Sequence, residues 1–146
     1  MKGPIVPLLT VFAVSSFAWA ALGQDDAKLI QGTWVPISAE LGGKEFPEEV
    51  RKSIKLVLKD DTYLVTVGKE GSDEGKCKLD PAKTPKTLDI TGTKGPNMGK
   101  TFLAIYELTG DKLRVCYDLS GKDRPKEFKT TDGSLLYLVT YERQKN

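Results

Sequence analysis

The chain contains no histidine. That removes the commonest general base, the commonest side-chain metal ligand and the usual partner of a nucleophilic serine or cysteine. Cysteine is nearly absent too. Cys77 and Cys116 are its two representatives, and without histidine they do not make a zinc site. No Gly-x-Ser-x-Gly elbow, P-loop, dinucleotide fingerprint or Asn-x-Ser/Thr sequon occurs. An excess of one charge is also missing. Lys and Arg number 22 against 20 Asp and Glu, a net +2, and the basic residues are scattered rather than gathered on one face. Nucleic-acid binding needs concentrated positive charge, so such a partner is disfavoured. The expectation is a protein with no catalytic residues, no metal and no cofactor. An enzyme here would need a carboxylate pair or a Lys/Tyr arrangement, and no spacing points to one.

What is present begins with a leader. Met1-Lys2 supplies a minimal positive start, an apolar run follows from Pro4 to Ala18, and small residues flank two cleavage points. Ala18-Trp19-Ala20 fits a cut before Ala21, and Ala21-Leu22-Gly23 fits a cut before Gln24. This pattern predicts a secretory signal peptide over residues 1–23. An uncleaved anchor is the competing reading, which Pro4, Pro7, Ser15 and Ser16 oppose. Export to the periplasm or the cell exterior follows, with no membrane span after cleavage. Residues 24–146 form one domain with a net charge of +1, since Lys2 is the leader's one charged residue.

In an oxidising compartment a bridge between Cys77 and Cys116 would close a loop of about 40 residues and stabilise by roughly 4 kcal/mol. Strand parity opposes it. Cys77 alternates in step with Leu79, whereas Cys116 alternates with Arg114 and Asp118, and the two strands lie three apart in the chain. Two free thiols are the favoured reading.

Along the exported part, Gln24 to Lys28 is polar and reads as a frayed terminus, and Leu29–Gln31 as a helical turn. Gly32–Ser38 is the first strand, with Pro36 marking an edge or a bulge. Phe46–Lys52 reads as a two-turn helix with acids in its first turn. From there the period is two. Ile54, Leu56 and Leu58 alternate with lysines, and Tyr63, Val65 and Val67 line the next strand. Gly68–Gly75 reads as a polar hairpin loop. Strands at Gly75–Leu79, Thr87–Thr91, Thr101–Leu108, Lys112–Asp118 and Leu135–Arg143 complete the series, the last apolar on both faces. Two long connections, Gly92–Lys100 and Leu119–Ser134, interrupt it. Eight strands joined mostly by short turns gain by closing on themselves, because closure removes exposed edges. The fold class is therefore all-β, an up-and-down antiparallel barrel with one short helix after strand one. A two-sheet sandwich is the alternative.

Gly32-Thr33-Trp34, at the head of the first strand, resembles the Gly-x-Trp opening of lipocalins and their calycin relatives. The resemblance implies that Trp34 closes the barrel floor and that a basic residue from the last strand, here Arg143, packs across its ring. A longer ordered set, from Leu29 to Arg143, resembles a family of small exported lipocalin-like domains, expanded in planctomycete-type bacteria, with no assigned activity. It includes Ile30–Trp34, Lys78-Leu79-Asp80-Pro81, Ile105–Leu108, Leu113–Cys116 and Arg124-Pro125 with Phe128. Fold and exported location are what that likeness implies; it brings no ligand-binding residues.

Three clusters have two readings each. Arg114 and Asp118 either face the barrel interior, where an arginine fork would orient a carboxylate, or lie on a solvated face with Leu113, Val115 and Tyr117 inward; the second is favoured. Tyr63, Tyr106, Tyr117, Tyr137 and Tyr141 are pocket-lining or core residues, and the alternation favours core. Asp60-Asp61 and Asp73-Glu74 are acidic pairs without the ligand series of a calcium loop and read as solvated turns. Functionally the sequence leaves two expectations. One is a module binding a small, mostly apolar molecule. The other is a structural domain with a side-chain-filled barrel that contacts an envelope protein through its long loops.

Overall fold

The computed structural model describes Gly3 and residues 25–145, so the leader at 1–23 lies outside the described residues apart from Gly3. A short helix α1 (Asp26–Leu29) precedes β1 (Gly32–Leu41) and a two-residue strand β2 (Lys44–Glu45). Helix α2 (Glu48–Lys52) leads into β3 (Ile54–Lys59) and β4 (Thr62–Val67). The chain continues through β5 (Ser72–Asp80), β6 (Lys86–Lys94), β7 (Thr101–Thr109), β8 (Lys112–Asp118) and β9 (Leu136–Arg143). Successive long strands pair antiparallel, and β1 pairs with β9 as well as β3. That last pairing closes eight strands into an up-and-down, lipocalin-like barrel and rules out the sandwich. β2 is an appendage on the end of β1.

The register defines two ends. Gly32, Lys59, Thr62 and Arg143 lie at one, closed by α1 and the tight β3–β4 and β7–β8 turns. Leu41, Val67, Ser72 and Leu136 lie at the other, from which the longer connections emerge. Alternation places Leu56, Leu58, Tyr63, Leu113, Val115 and Val139 inside, as period-two patterning requires. β1 keeps Trp34 and Ala39 on the same inward face by a register shift between Pro36 and Ser38. An odd spacing serves one face only because that bulge absorbs a residue.

Three local expectations are corrected. The polar stretch before Leu29 is not frayed: it forms α1, and Asp26 is buried under hydrogen bonds from Tyr106 and Lys86. The β4–β5 loop is shorter than its composition suggests, because Ser72, Asp73 and Glu74 already pair with Thr66, Val65 and Leu64. The outer face of β8 is solvated only in part: the Arg114 side chain stays 39% exposed, while Cys116 and Asp118 are buried. Ile105 and Cys116 face each other across β7 and β8, and both are buried although they lie outside the interior cluster.

The cover is the long connection between β8 and β9. Arg124 Nη1 donates to the Ala104 carbonyl at 2.8 Å, and its Nη2 pairs with Asp89 at 2.6 Å. Phe128 stacks on the Arg114 guanidinium, 4.2 Å from its ring centre. Thr130 donates to Glu40 and accepts from the Gly43 amide. The segment is thus strapped to the wall at β1, β6, β7 and β8.

Candidate binding site

The closed end is built around Trp34. β1 and β9 place Trp34 and Arg143 directly opposite each other. The Arg143 guanidinium carbon sits 4.3 Å from the Trp34 ring centre, an arrangement worth ~0.5–2 kcal/mol depending on desolvation. The same guanidinium donates to the carbonyls of Gln31 and Leu29, and its Nε to Asp111 at 3.1 Å. Hydrogen bonds from Arg143 and Lys145 hold the Asp111 carboxyl below its ordinary range. Trp34 Nε1 donates to the Ile30 carbonyl at 2.8 Å, so α1 and its exit turn supply the polar partners for this plug. Gly32 has φ +131°, and a Cβ there would lie 3.0 Å from Arg143 Nη1. The Gly-x-Trp spacing therefore clears the path by which arginine crosses the indole.

Above this floor the interior is not filled. Toward the open end lies a cavity of about 310 Å³, at the small end of the range for ligand sites. Its walls come from β3 through β9 and are apolar, with Leu56, Val65, Ile90, Phe102 and Val115 among them. Of the five tyrosines, Tyr63, Tyr117 and Tyr137 line it, while Tyr106 and Tyr141 are buried elsewhere. Phe46, Tyr137 and Tyr117 form a stacked row with centre spacings of 5.5 and 5.6 Å. That row packs Phe46, two residues before α2, against the interior cluster. Burial raises the pKa of Tyr63, Tyr117 and Tyr137, so all three present neutral hydroxyls.

One charged residue lines this cavity, Asp73. Its Oδ2 accepts from Tyr63 Oη at 3.1 Å and from Asn97 Nδ2 at 3.0 Å. The sequence reading passed over it because Asp73-Glu74 sits between glycines and looks like a turn. Its signal was there in Tyr63, which shares the inward face and needs a partner for its buried hydroxyl.

Cys77 lines the cavity as a free thiol, and Cys116 lies outside the barrel with its Sγ 3.6 Å from the Lys129 carbonyl. Burial pushes the Cys77 thiol up to about 12 and raises Cys116 as well, so neither is a ready nucleophile. Arg114 faces outward, with Glu107 3.1 Å away. Asp118 is buried in the turn that starts the long connection, where its carboxylate accepts from the Ser120 hydroxyl and amide and the Asp123 amide at 2.6, 2.9 and 2.7 Å. Burial alone would raise its pKa, but these donors hold it below the usual carboxylate range. The stability it contributes is present above the unfolded-state pKa and is lost as pH falls through the folded one. Asp118→Asn is expected to flatten the acid limb of a stability-versus-pH curve between those two values, measured by urea unfolding. An unchanged limb would show that the turn does not depend on the charge.

A wider concavity of about 670 Å³ lies on the outer wall, near Lys78, Lys83 and Lys126. Asp80 and Asp89 interrupt its positive charge, and Arg124 is committed to the barrel wall. No group of three or more His, Cys, Asp or Glu among the described residues is arranged to hold a metal ion, and no described helix is long and apolar enough to cross a membrane.

Comparison with protein-family models, with curated proteins and with solved structures returned no match. The fold class rests on topology: a closed, eight-stranded, antiparallel barrel with a tryptophan-plugged floor and an apolar interior at its other end.

Proposed function

We propose that this protein is an exported, non-enzymatic binding domain that holds a small, mostly apolar molecule inside its barrel. The observation that carries the reading is the unfilled, apolar upper interior, since a purely structural barrel of this size has every reason to fill itself with side chains. At ~30 Å³ per water-sized group, the space takes on the order of ten such groups. The occupant is therefore a short-chain or single- to double-ring compound. The leader predicted at 1–23 and the likeness to exported lipocalin-like domains support the location.

The test is binding of N-phenyl-1-naphthylamine to the purified exported chain, followed by fluorescence and thermal midpoint. Saturable enhancement and a raised midpoint are expected; at a hundredfold excess over Kd the stabilisation would be about 2.7 kcal/mol. Val65→Trp, which fills the cavity from β4, should abolish binding while leaving the barrel folded by circular dichroism. Binding that survives Val65→Trp would place the probe elsewhere and remove the idea.

A second reading has its own observation. Met98 is 68% exposed, Leu135 54% and Val50 43%, and all three lie on connections at the open end. Such an apolar rim suits contact with an envelope protein. Replacing all three by serine should abolish co-fractionation with envelope material, and unchanged fractionation would exclude it.

A further inference from the structure

We propose that Asp73 is the polar anchor of the cavity and that it selects ligands carrying a positively charged amine beside an apolar tail. The inference rests on the binding reading above and names its ligand class. Asp73 brings a carboxylate to a lining that contains no Lys or Arg. Its Oδ2 is doubly satisfied by Tyr63 and Asn97. Its Oδ1 is buried and accepts no hydrogen bond from the chain.

Such an oxygen is costly. A buried acceptor without a donor forfeits its hydration, and more so when it carries charge. An ammonium group arriving with a ligand supplies both the donor and the opposite charge, in apolar surroundings where a charge-assisted bond is strongest. A carboxylate-headed ligand would meet an uncompensated negative charge in the same place. The neighbouring groups reinforce this polarity. Tyr63 stays neutral because burial, then the Asp73 charge itself, raises its pKa, and Asn97 has no charge to give.

The β6–β7 connection covers this oxygen. Asn97 rides on the connection between β6 and β7, and Gly95, at the start of that connection, lies against Asp73. A Cβ on Gly95 would stand 3.1 Å from Oδ1 and 2.8 Å from the Ser72 carbonyl. The absence of that carbon lets the loop backbone pack directly on Asp73 and close over Oδ1, so the amine reaches the oxygen as this loop gives way. One carboxylate thus joins the cavity wall to the loop that covers it, and an ammonium would take the place of that cover.

The experiment compares octylamine, 1-octanol and octanoate at neutral pH by isothermal titration calorimetry on the purified exported chain. The three share a tail and differ in head group. Octylamine is expected to bind most tightly, by about tenfold or more over octanoate, with octanol between them. Asp73→Asn should remove the difference between octylamine and octanoate and leave octanol within about twofold, because the amide keeps the size but not the charge. A merely structural role, in which Asp73 latches the loop through Asn97, is separated by Asn97→Ala and Tyr63→Phe. Both keep the carboxylate and must keep the amine preference, whereas a latch would lose it in either. Octanoate binding as well as octylamine, or a preference that survives Asp73→Asn, overturns the anchor while the cavity reading stands on octanol. Failure of all three to bind overturns both.

Discussion

Trp34→Ala is expected to lower folding stability by about 3–5 kcal/mol, the range for truncating a large buried aromatic, and the thermal midpoint by roughly 10 °C or more. The side chain is fully buried at the barrel floor, so its removal leaves a void that the surrounding strands cannot collapse without breaking the β1–β9 pairing that closes the sheet. Two smaller contributions separate from this one. Trp34→Phe keeps most of the ring and loses the bond to the Ile30 carbonyl, worth about 1 kcal/mol. Arg143→Ala removes the cation over the ring and the donors to Leu29 and Gln31, at a cost of about 1–2 kcal/mol. Because the two residues touch, the double variant should cost less than the sum of the single ones, with a coupling of about 0.5 kcal/mol or more. Urea unfolding of the four proteins measures all of this. Strict additivity would mean that the contact contributes nothing in solution.

Much of the barrel was legible because its physics is local and periodic. Leu56 and Leu58, or Leu113, Val115 and Tyr117, announce an inward face through spacing alone, and short turns such as Thr109-Gly110-Asp111 make neighbouring strands antiparallel. What escaped was whatever depends on a residue far away in sequence. The face carrying Arg114, Cys116 and Asp118 is polar in pattern and points outward as expected. It is covered nonetheless, because Arg124 and Phe128 strap a connection over it. Period two reports which side of the sheet a residue takes; it does not report what lies on that side.

The cavity was legible only as a question. Chain length and strand count allow either a filled or a hollow barrel, and the difference lies in how side-chain volumes sum across strands that the sequence does not align. Trp34 and Tyr106 fill the closed end, and the cavity wall is left to residues as slight as Val65 and Cys77. Asp73 was hidden for a related reason. Between Gly71 and Gly75 it reads as loop, and only the pairing with Val65 shows that it stands in the wall.

Asp26 shows the same blindness at the other end and carries the second large effect. Asp26→Ala is expected to cost about 2–3 kcal/mol. Breaking a fully buried ion pair from one side costs about 3–5 kcal/mol, and the lower figure applies because the Lys86 side chain is one-third exposed and can regain water. Tyr106 cannot. Its hydroxyl donates to Asp26 at 2.7 Å from a residue that is 1% exposed, so truncation strands a buried donor. A frayed polar terminus, as the composition alone suggests, would instead give a change within about 0.5 kcal/mol, and that result would sink the account. Pairing Asp26→Leu with Tyr106→Phe should recover part of the loss by removing both polar groups together. The consequence reaches the floor of the barrel. α1 and its exit turn hold the carbonyls of Leu29, Ile30 and Gln31 that Trp34 and Arg143 use, so loosening α1 should also weaken the Trp34–Arg143 coupling. Repeating that double-mutant cycle in the Asp26→Ala background measures it. A coupling that survives intact would mean that the strand pairing alone, without the helix, sets the arginine over the indole.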